Sequence, residues 1–352
     1  MSTSRRRPAA RTIAAIASLL AFAVAAGVVS ATEEDAVRAE SPADESGVSS
    51  AGAADGAGAR ADHVREVAPG HFVHLGRHED MTGGNGGDVA NGGFVIGERA
   101  VAVIDPGGGT ATARALMRAL RARSDLPITH VVLTHVHPDH TLGAAVFADA
   151  DVDVVAHANY ARALAQRGAF YRDRFGALIE PGTAWLEPTR ELAAGERARI
   201  DLGGRTLELR AYPTAHTDND LSAFDRSSGT LWAGDLVFAE RLPALDGSLR
   251  GWLEALDAIV ALESRLIVPG HGEPGKPAPM LGAQRAYLER LLVDTRARIA
   301  AGERLADALA AAEREGVAAS WPGPGGGVER WSLFELHHPT NVTRAWTELE
   351  WE

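Results

Sequence analysis

The sequence predicts an α+β protein in which two β-sheets pack together between layers of helices. Short apolar runs typical of strands are interspersed with longer amphipathic segments typical of helices. Groupings of two strands followed by a helix recur in each half of the chain, which favours paired sheets covered by helices. With 352 residues, 45% of them hydrophobic, the chain can bury a large core.

Composition excludes several kinds of chemistry. The chain contains no cysteine, so a disulfide, a thiolate metal ligand and a cysteine nucleophile are all excluded. Any metal site must therefore use histidine and carboxylate ligands. The net charge of −12 argues against nucleic-acid binding, which depends on a basic surface.

The amino-terminal segment has the features of an export signal. Arg5, Arg6 and Arg7 precede an apolar run over 13–29, and Val29-Ser30-Ala31 ends in small residues. We expect residues 1–31 to be a signal peptide, with the arginines also allowing a twin-arginine signal, and the protein to be periplasmic or secreted. The alternative is an uncleaved anchor, although the run is near the short limit for a membrane span. After cleavage no stable membrane span is expected.

The remaining chain divides into a linker and a folded domain. Residues 32–62 are rich in small and acidic residues and have almost no large apolar side chain, which predicts disorder. The folded domain is expected over 63–352 and to end in a helical extension.

Within this domain the patterning predicts strands and helices in alternation. Strands are expected over 71–76, 94–96, 100–104, 128–133, 152–156, 205–212, 221–224, 230–233 and 265–268. Helices are expected over 110–123, 142–147, 159–166, 249–262, 278–298 and 301–315. Residues 168–189 carry several aromatics and are expected to be irregular, forming either a lid over a site or local packing.

The most informative stretch contains His135, His137, Asp139 and His140, directly after the apolar run 128–133. Pro138 is expected to keep the following residues out of a helix. A tight loop at the end of a strand can direct alternate side chains at one point. Imidazole and carboxylate are the ligands that zinc and related metals take when thiolates are absent.

Three later segments complete the same set of ligands. His216, Asp235 and His271 each follow an apolar run, and each has a small residue or a proline nearby that lets the backbone turn. Four such segments in order, spread across a predicted sheet, indicate a metal site built from several strand ends.

This HxHxDH stretch, followed by His, Asp and His, resembles the metallo-β-lactamase superfamily. The resemblance implies a four-layer αββα sandwich with metals at one edge of the two sheets, and two zinc ions, with iron as the alternative. The first ion would be held by His135, His137 and His216. The second would be held by Asp139, His140 and His271, and Asp235 would bridge both ions.

Asp235 also bears on the branch of the superfamily, because true lactamases have Cys or Ser there and other hydrolase branches have Asp. A narrower resemblance is to the quinoprotein relay system zinc metallohydrolases, or SoxH-like proteins. It is carried by the segments 88–91, 214–220, 245–249, 341–343 and 348–352. It implies export and association with a quinoprotein dehydrogenase or a cytochrome.

The sequence thus predicts an exported binuclear zinc hydrolase that cleaves an ester, thioester, lactone or amide bond of a small molecule. A hydroxide bridging the metals would attack the carbonyl, with Asp139 and Asp235 as the catalytic carboxylates. The alternatives are a metal-binding accessory protein of a periplasmic quinoprotein dehydrogenase system and a β-lactam hydrolase. Asp105 is expected either to hydrogen-bond the ligand loop or to be a plain turn residue. His337 and His338 are expected to be solvated or capping residues, or else to reach the site on a folded-back tail.

Overall fold

The computed structural model describes residues 64–149, 151–181, 185–315, 321–324 and 331–352. The expected signal peptide (1–31), the linker (32–62) and the start of the domain at residue 63 lie outside these ranges and stay predictions. Within the described ranges, no helix combines the length and the apolar character needed to cross a bilayer.

The first sheet has seven strands that follow one another in chain order. The strands are β1 Val64–Ala68, β2 His71–His74, β3 Gly92–Ile96, β4 Val101–Ile104, β5 Ile128–Val132, β6 Asp153–His157 and β7 Arg190–Leu192. β1 to β4 pair antiparallel, and β4 to β7 pair parallel. The carboxyl ends of β4 and β5 therefore lie at the same edge of the sheet.

The second sheet has five strands in the order β12-β11-β10-β9-β8. The strands are β8 Arg197–Asp201, β9 Thr206–Ala211, β10 Leu221–Asp225, β11 Thr230–Phe238 and β12 Leu266–His271. β8 to β11 are antiparallel, whereas β11 and β12 are parallel and so end at the same edge.

Helices cover the outer faces of both sheets. They are α1 Thr110–Arg121, α2 Pro138–Thr141, α3 Tyr160–Phe175, α4 Leu249–Val260, α5 Pro277–Ala300, α6 Leu305–Glu315 and α7 Phe334–Leu349. Short 3₁₀ turns occupy Ala144–Phe147 and Gly176–Leu178. The N-terminus of α4 is capped by Ser248, whose hydroxyl accepts a hydrogen bond from the Gly251 N–H at 3.0 Å.

Three apolar cores define the order of the layers. In β4, Val101 and Val103 pack with α1, while Ala102 and Ile104 face the second sheet, as the alternation of side chains along a strand requires. The outer face of the second sheet packs against α4, α5 and α7 around Trp252. The layers are therefore helix, sheet, sheet and helix, which confirms the predicted α+β four-layer sandwich.

The structure corrects the prediction made for Pro138. This proline begins α2 instead of preventing a helix, because at the first helical position its missing N–H is not needed. The segment 142–147, predicted as one helix, has only the short 3₁₀ turn.

Other element boundaries also differ from the prediction. α3 continues through Gly168 to Phe175, so residues 168–175 are helical and not irregular. β11 continues past residue 233 to Phe238, and the helix expected to start at residue 301 starts at Leu305. β1, β7 and β8 were not predicted.

Candidate metal centre

The two parallel strand ends of the first sheet bring the ligand loop to the edge of the sandwich. His135 and His137 lie in the loop that follows β5, and Asp139 and His140 lie in α2. His135 and His140 are buried, and Asp139 keeps 13% of its side chain exposed.

The second sheet contributes the remaining residues at the same edge. His216 lies in the loop after β9, and His271 is the last residue of β12. Asp235 lies within β11, directly after a bulge at Gly234 that redirects the strand. Gly234 has φ +52, and a Cβ there would lie 2.5 Å from the Thr134 hydroxyl. Gly270 also has to be glycine, because a Cβ there would lie 1.8 Å from Asp235 Oδ1.

These elements gather all seven predicted ligands into two adjoining groups around Asp235. The potential ligand atoms within each group lie within 4.8 Å of one another. The first group is His135, His137, His216 and Asp235, and the second is Asp139, His140 and His271.

Asp235 lies between the two groups and contacts both. Its Oδ2 is 3.4 Å from His216 Nε2 and 3.8 Å from His135 Nε2. The same oxygen is 3.4 Å from His271 Nε2, and Oδ1 is 3.1 Å from His140 Nε2. Asp235 thus has the position that a bridging ligand requires, although its role as a ligand remains a prediction.

Each histidine is oriented by a hydrogen bond on the side away from the centre. The Nδ1–H groups of His216 and His271 donate to the carbonyl oxygens of Ala244 (2.6 Å) and Val89 (2.7 Å). With Nδ1 used in this way, Nε2 presents its lone pair to the centre. His137 has the opposite arrangement, because its Nδ1 lies 3.0 Å from His216 Nε2 and its Nε2 faces outward.

Asp105 holds in place the loop after β5, which carries His135 and His137. Its carboxylate accepts hydrogen bonds from the Thr134 N–H (2.8 Å), the Thr134 hydroxyl (2.6 Å) and His140 Nδ1–H (2.9 Å). The Thr134 hydroxyl in turn accepts from His135 Nδ1–H at 3.0 Å. One buried carboxylate therefore orients a histidine of each group, which is the hydrogen-bonding alternative proposed for Asp105.

Asp246 orients the fifth histidine. Its Oδ2 accepts from His137 Nε2–H at 3.1 Å and lies 2.6 Å from Nη1 of Arg167, which projects from α3. Burial opposes ionisation of Asp246, but its hydrogen bond to His137 and the nearby charge of Arg167 outweigh burial and lower its pKa. The carboxylate is therefore ionised and favours the tautomer of His137 that has a lone pair on Nδ1.

The histidines of the centre differ in the direction in which their surroundings shift the pKa. Burial lowers the pKa of His135 well below its usual range and that of His216 to about 3, so both are neutral and able to bind metal. Burial also opposes a charge on His140, but Asp235, Asp139 and Asp105 outweigh it and raise its pKa well above the usual range. The three carboxylates around His140 therefore favour a protonated ring when no metal is bound.

The donor set fits a divalent metal. The Nε2 atoms of His135 and His140 and Oδ1 of Asp235 are buried without a well-aligned hydrogen bond to any residue that the structure describes. His140 Nε2 and Asp235 Oδ1 face each other at 3.1 Å without hydrogen-bond alignment, and a cation among the three buried atoms would be bound by all of them. Five imidazoles with two carboxylates match the preferences of zinc and also of iron.

Other histidines that the structure describes have partners away from the centre. His71 and His74 are buried and bond Asp225 (2.9 Å) and Asp88 (2.5 Å). His130 contacts the hydroxyl of Thr129 at 2.8 Å. His338 packs between aromatic rings, and His337 contacts Arg241, whose guanidinium lies against the ring of His271.

Several residues around the centre were not assigned a role from the sequence. Asp246 belongs to the segment 245–249, which contributes to the resemblance to SoxH-like proteins. The acid–glycine turn in this segment was the one feature of the sequence that could have pointed to Asp246. Arg167 and Arg241 lie in stretches without a motif, so only the folded arrangement shows that they adjoin the ligands.

The four-layer fold and the cluster of seven candidate ligands define the class of the protein. The sequence profile described as the metallo-beta-lactamase superfamily matches residues 85–271, more than half of the chain, and the chain belongs to that superfamily. Members of this superfamily are mostly hydrolases, and its fold typically binds a metal.

One curated relative is the 2,4-dinitroanisole O-demethylase subunit alpha of Nocardioides sp. (strain JS1661). It is 26% identical over 181 residues, which cover 50% of this chain and 51% of that protein. The chain therefore spans about half the length of the curated relative that it matches.

Solved structures of low sequence identity share the fold. A metallo-beta-lactamase from Pontibacter korlensis is 20% identical with a TM-score of 0.53, over 64% of this chain and 98% of that one. The sec-alkylsulfatase Pisa1 from Pseudomonas sp. is 18% identical with a TM-score of 0.62, over 83% of this chain and 50% of that one.

Proposed function

We propose that this protein is a hydrolase that uses two zinc ions. His135, His137 and His216 would hold one ion, and Asp139, His140 and His271 the other. Asp235 would bridge the two. The observation that carries the proposal is the convergence of these seven side chains around the Asp235 carboxylate, which contacts histidines of both groups.

Divalent ions held here would supply Lewis acidity and make water a nucleophile near neutral pH. The protein's own part is to orient the ligands and to move protons. Asp139 is the more accessible of the two carboxylates, with 13% of its side chain exposed against 4% for Asp235. We therefore assign to Asp139 the role of taking a proton from the attacking water and returning it to the leaving group. Asp235 is nearly enclosed, so we assign it mainly to holding the centre together.

The bond cleaved is proposed to be an ester, thioester, lactone or amide. Two further probes come from the similar proteins, one named for 2,4-dinitroanisole and the other for secondary alkyl sulfates. β-Lactams complete the panel, although Asp235 makes them less favoured because lactamases have Cys or Ser at this position.

The decisive experiment compares metal content and hydrolysis in the same preparations. His137→Ala should lose zinc and hydrolysis together, since it removes a ligand without removing a buried carboxylate. His130→Ala is the matched control, because His130 lies on β5 and bonds Thr129 rather than the centre. Full activity in metal-free protein would refute the proposed function. Protein that acquires iron instead of zinc when both are supplied would overturn the choice of metal.

We also propose that the protein is exported and belongs with the SoxH-like proteins, beside a quinoprotein dehydrogenase or a cytochrome. The support is the set of sequence segments that resemble that branch. If the protein is instead an accessory subunit, the substrate panel should be inert and a stable partner should copurify. Detection of the mature chain only in the cytoplasmic fraction would contradict export.

A further inference from the structure

β8 is the last strand of the second sheet, and its outer edge is open. The Ala211 N–H donates to the Glu196 carbonyl at 3.0 Å, and the Leu202 N–H donates to the Arg205 carbonyl at 2.9 Å. Between these two bonds, hydrogen-bonded and non-hydrogen-bonded pairs alternate along β8 and β9. The N–H and C=O groups that point away from β9 therefore belong to residues 197, 199 and 201. No residue that the structure describes bonds this row of backbone groups, so another strand could pair with it.

Two arginines beside this edge lie directly opposite each other. Arg197 of β8 is in register with Arg210 of β9. Both side chains are on the outer face of the sheet, because the alternate residues Ile200 and Leu209 pack in the core between the sheets. The two arginines form a non-hydrogen-bonded pair, in which side chains approach most closely. Like charges opposite each other in this way destabilise a sheet, and an anion between them would remove that cost.

The outer face of this hairpin has too few acids to neutralise its arginines. Its Glu208 lies 3.2 Å from Arg199 and 2.9 Å from Arg226, and so is shared by two guanidinium groups. Within the described ranges, no carboxylate forms an ion pair with Arg197 or Arg210. The net charge of the whole chain is −12, so this basic face is an exception to which an acidic partner would be steered.

Arg210 is held in position for an anion. Its guanidinium carbon lies 4.8 Å from the centre of the Tyr212 ring. Tyr212 is itself buried, and its hydroxyl lies 3.1 Å from the Ser222 hydroxyl. Nε of Arg210 is buried and has no hydrogen-bond partner in the part of the chain that the structure describes. A guanidinium fixed in this way loses little freedom when it binds a carboxylate.

The backbone and the side chains of this edge fit one kind of partner. A strand added to β8 would pair with the open row, and its alternate side chains would lie beside Arg197. We propose that an extended acidic segment of a partner protein adds to the open edge of β8 and places a carboxylate between Arg197 and Arg210. Asp201 ends the basic row, since its carboxylate pairs with Arg99 at 2.7 Å. The inference does not depend on the proposed hydrolase function.

A different role for these arginines would be to keep other strands away from the edge, as charged residues on edge strands often do. In that case an acidic strand would bind no better than a neutral strand of the same shape. Peptides that differ only in charge, or only in their backbone N–H groups, separate the two roles.

The experiment measures the binding of labelled peptides to the full chain by fluorescence anisotropy. One peptide alternates glutamate with valine, and a second has glutamine in place of glutamate. A third is the first peptide N-methylated at each glutamate, whose N–H would face β8. The glutamate peptide should bind about tenfold more tightly than the glutamine peptide, which is within the range for two exposed ion pairs. The N-methylated peptide should not bind measurably, because it cannot pair with the edge.

Variants of the chain test the same contacts from the other side. Arg197→Gln with Arg210→Gln should lower the affinity for the glutamate peptide about tenfold and leave that for the glutamine peptide unchanged. Arg114→Gln with Arg304→Gln makes the same charge change at two exposed ion pairs elsewhere and should alter neither affinity. Arg199→Pro removes an N–H from the open edge without removing a bond to β9, so it should abolish binding of both peptides. Thermal unfolding is recorded for every variant, and the N-methylated peptide makes the same test on the unaltered chain.

Equal affinity for the glutamate and glutamine peptides, or no measurable binding of either, would overturn the inference. So would undiminished binding of the N-methylated peptide, or an unchanged preference after Arg197→Gln with Arg210→Gln. Two other occupants of the edge would also overturn it. A second copy is indicated if the chain alone is a dimer that Arg199→Pro dissociates. An anionic membrane is indicated if the chain binds phosphatidylglycerol vesicles through these arginines but does not bind the glutamate peptide.

Discussion

Replacing Asp105 by asparagine should weaken zinc binding about ten- to a hundredfold and leave the fold in place. Asp105 has a positive φ of 45°, which asparagine also tolerates. The amide oxygen can still accept from the Thr134 N–H. The Thr134 hydroxyl can rotate to accept from the new amide.

The lost interaction is therefore the hydrogen bond from His140. Its Nδ1–H now donates to a carboxylate oxygen at 2.9 Å and would face an N–H₂ group in the variant. A hydrogen bond to a charged acceptor contributes about 1.5–3 kcal/mol, which corresponds to a change in affinity of roughly 10- to 150-fold. The His140 ring would also lose the contact that directs Nε2 toward the centre.

Competition with a chromophoric zinc chelator measures this affinity directly. Asp225→Asn is the control, since Asp225 is also a buried carboxylate that bonds a histidine, His71, but it lies away from the ligands. Asp225→Asn should lower stability and leave zinc affinity unchanged. A change of less than about threefold in Asp105→Asn, or an equal change in both variants, would refute the view that Asp105 acts by orienting His140.

Three further predictions concern other parts of the structure. Asp246→Ala should lower zinc affinity about tenfold by freeing the His137 ring, and unchanged affinity in the chelator assay would contradict this. Burial raises the pKa of Asp220 from 3.8 to about 8. Between these values the unfolded chain has lost a proton that Asp220 keeps in the folded chain, so the contribution of Asp220 to the stability of metal-free protein should fall as pH rises from about 4 to about 8. In urea unfolding across this range, the stability of wild type relative to Asp220→Asn should fall as pH rises; a difference that does not change with pH would refute the assignment. Glu348 accepts from the Ser248 hydroxyl (2.9 Å) and the Leu249 N–H (2.6 Å) at the start of α4, so Glu348→Ala should cost about 1–2 kcal/mol in urea unfolding. A stability equal to that of wild type would contradict it.

The layered architecture was accessible from the sequence because strand and helix periodicities are local. In β4, for example, Val103 packs against α1 and Ile104 packs against the second sheet. This alternation between neighbouring residues can be recognised directly in the sequence. The boundaries of helices and strands were harder to predict from the sequence where one residue type can favour either of two local structures. Pro138 can exclude a helix or begin one, and the surrounding fold selects the second.

The gathering of the ligands was predicted because each follows a strand, and neighbouring strand ends meet at one edge. The position of Asp235 within β11 was not, since it depends on a bulge at Gly234 packed against Thr134. The roles of Arg167 and Arg241 could not be predicted either. Each is brought to the centre by contacts between segments far apart in the chain, Arg167 with Asp246 and Arg241 with the ring of His271.

The central claim is that Asp235 is shared by two metal ions. Anomalous diffraction at the zinc absorption edge, from crystals of zinc-loaded protein, tests it most directly. We expect two peaks, one among His135, His137 and His216 and one among Asp139, His140 and His271, each in contact with the Asp235 carboxylate. A map without a peak at these side chains, or with peaks that Asp235 does not touch, would contradict the claim.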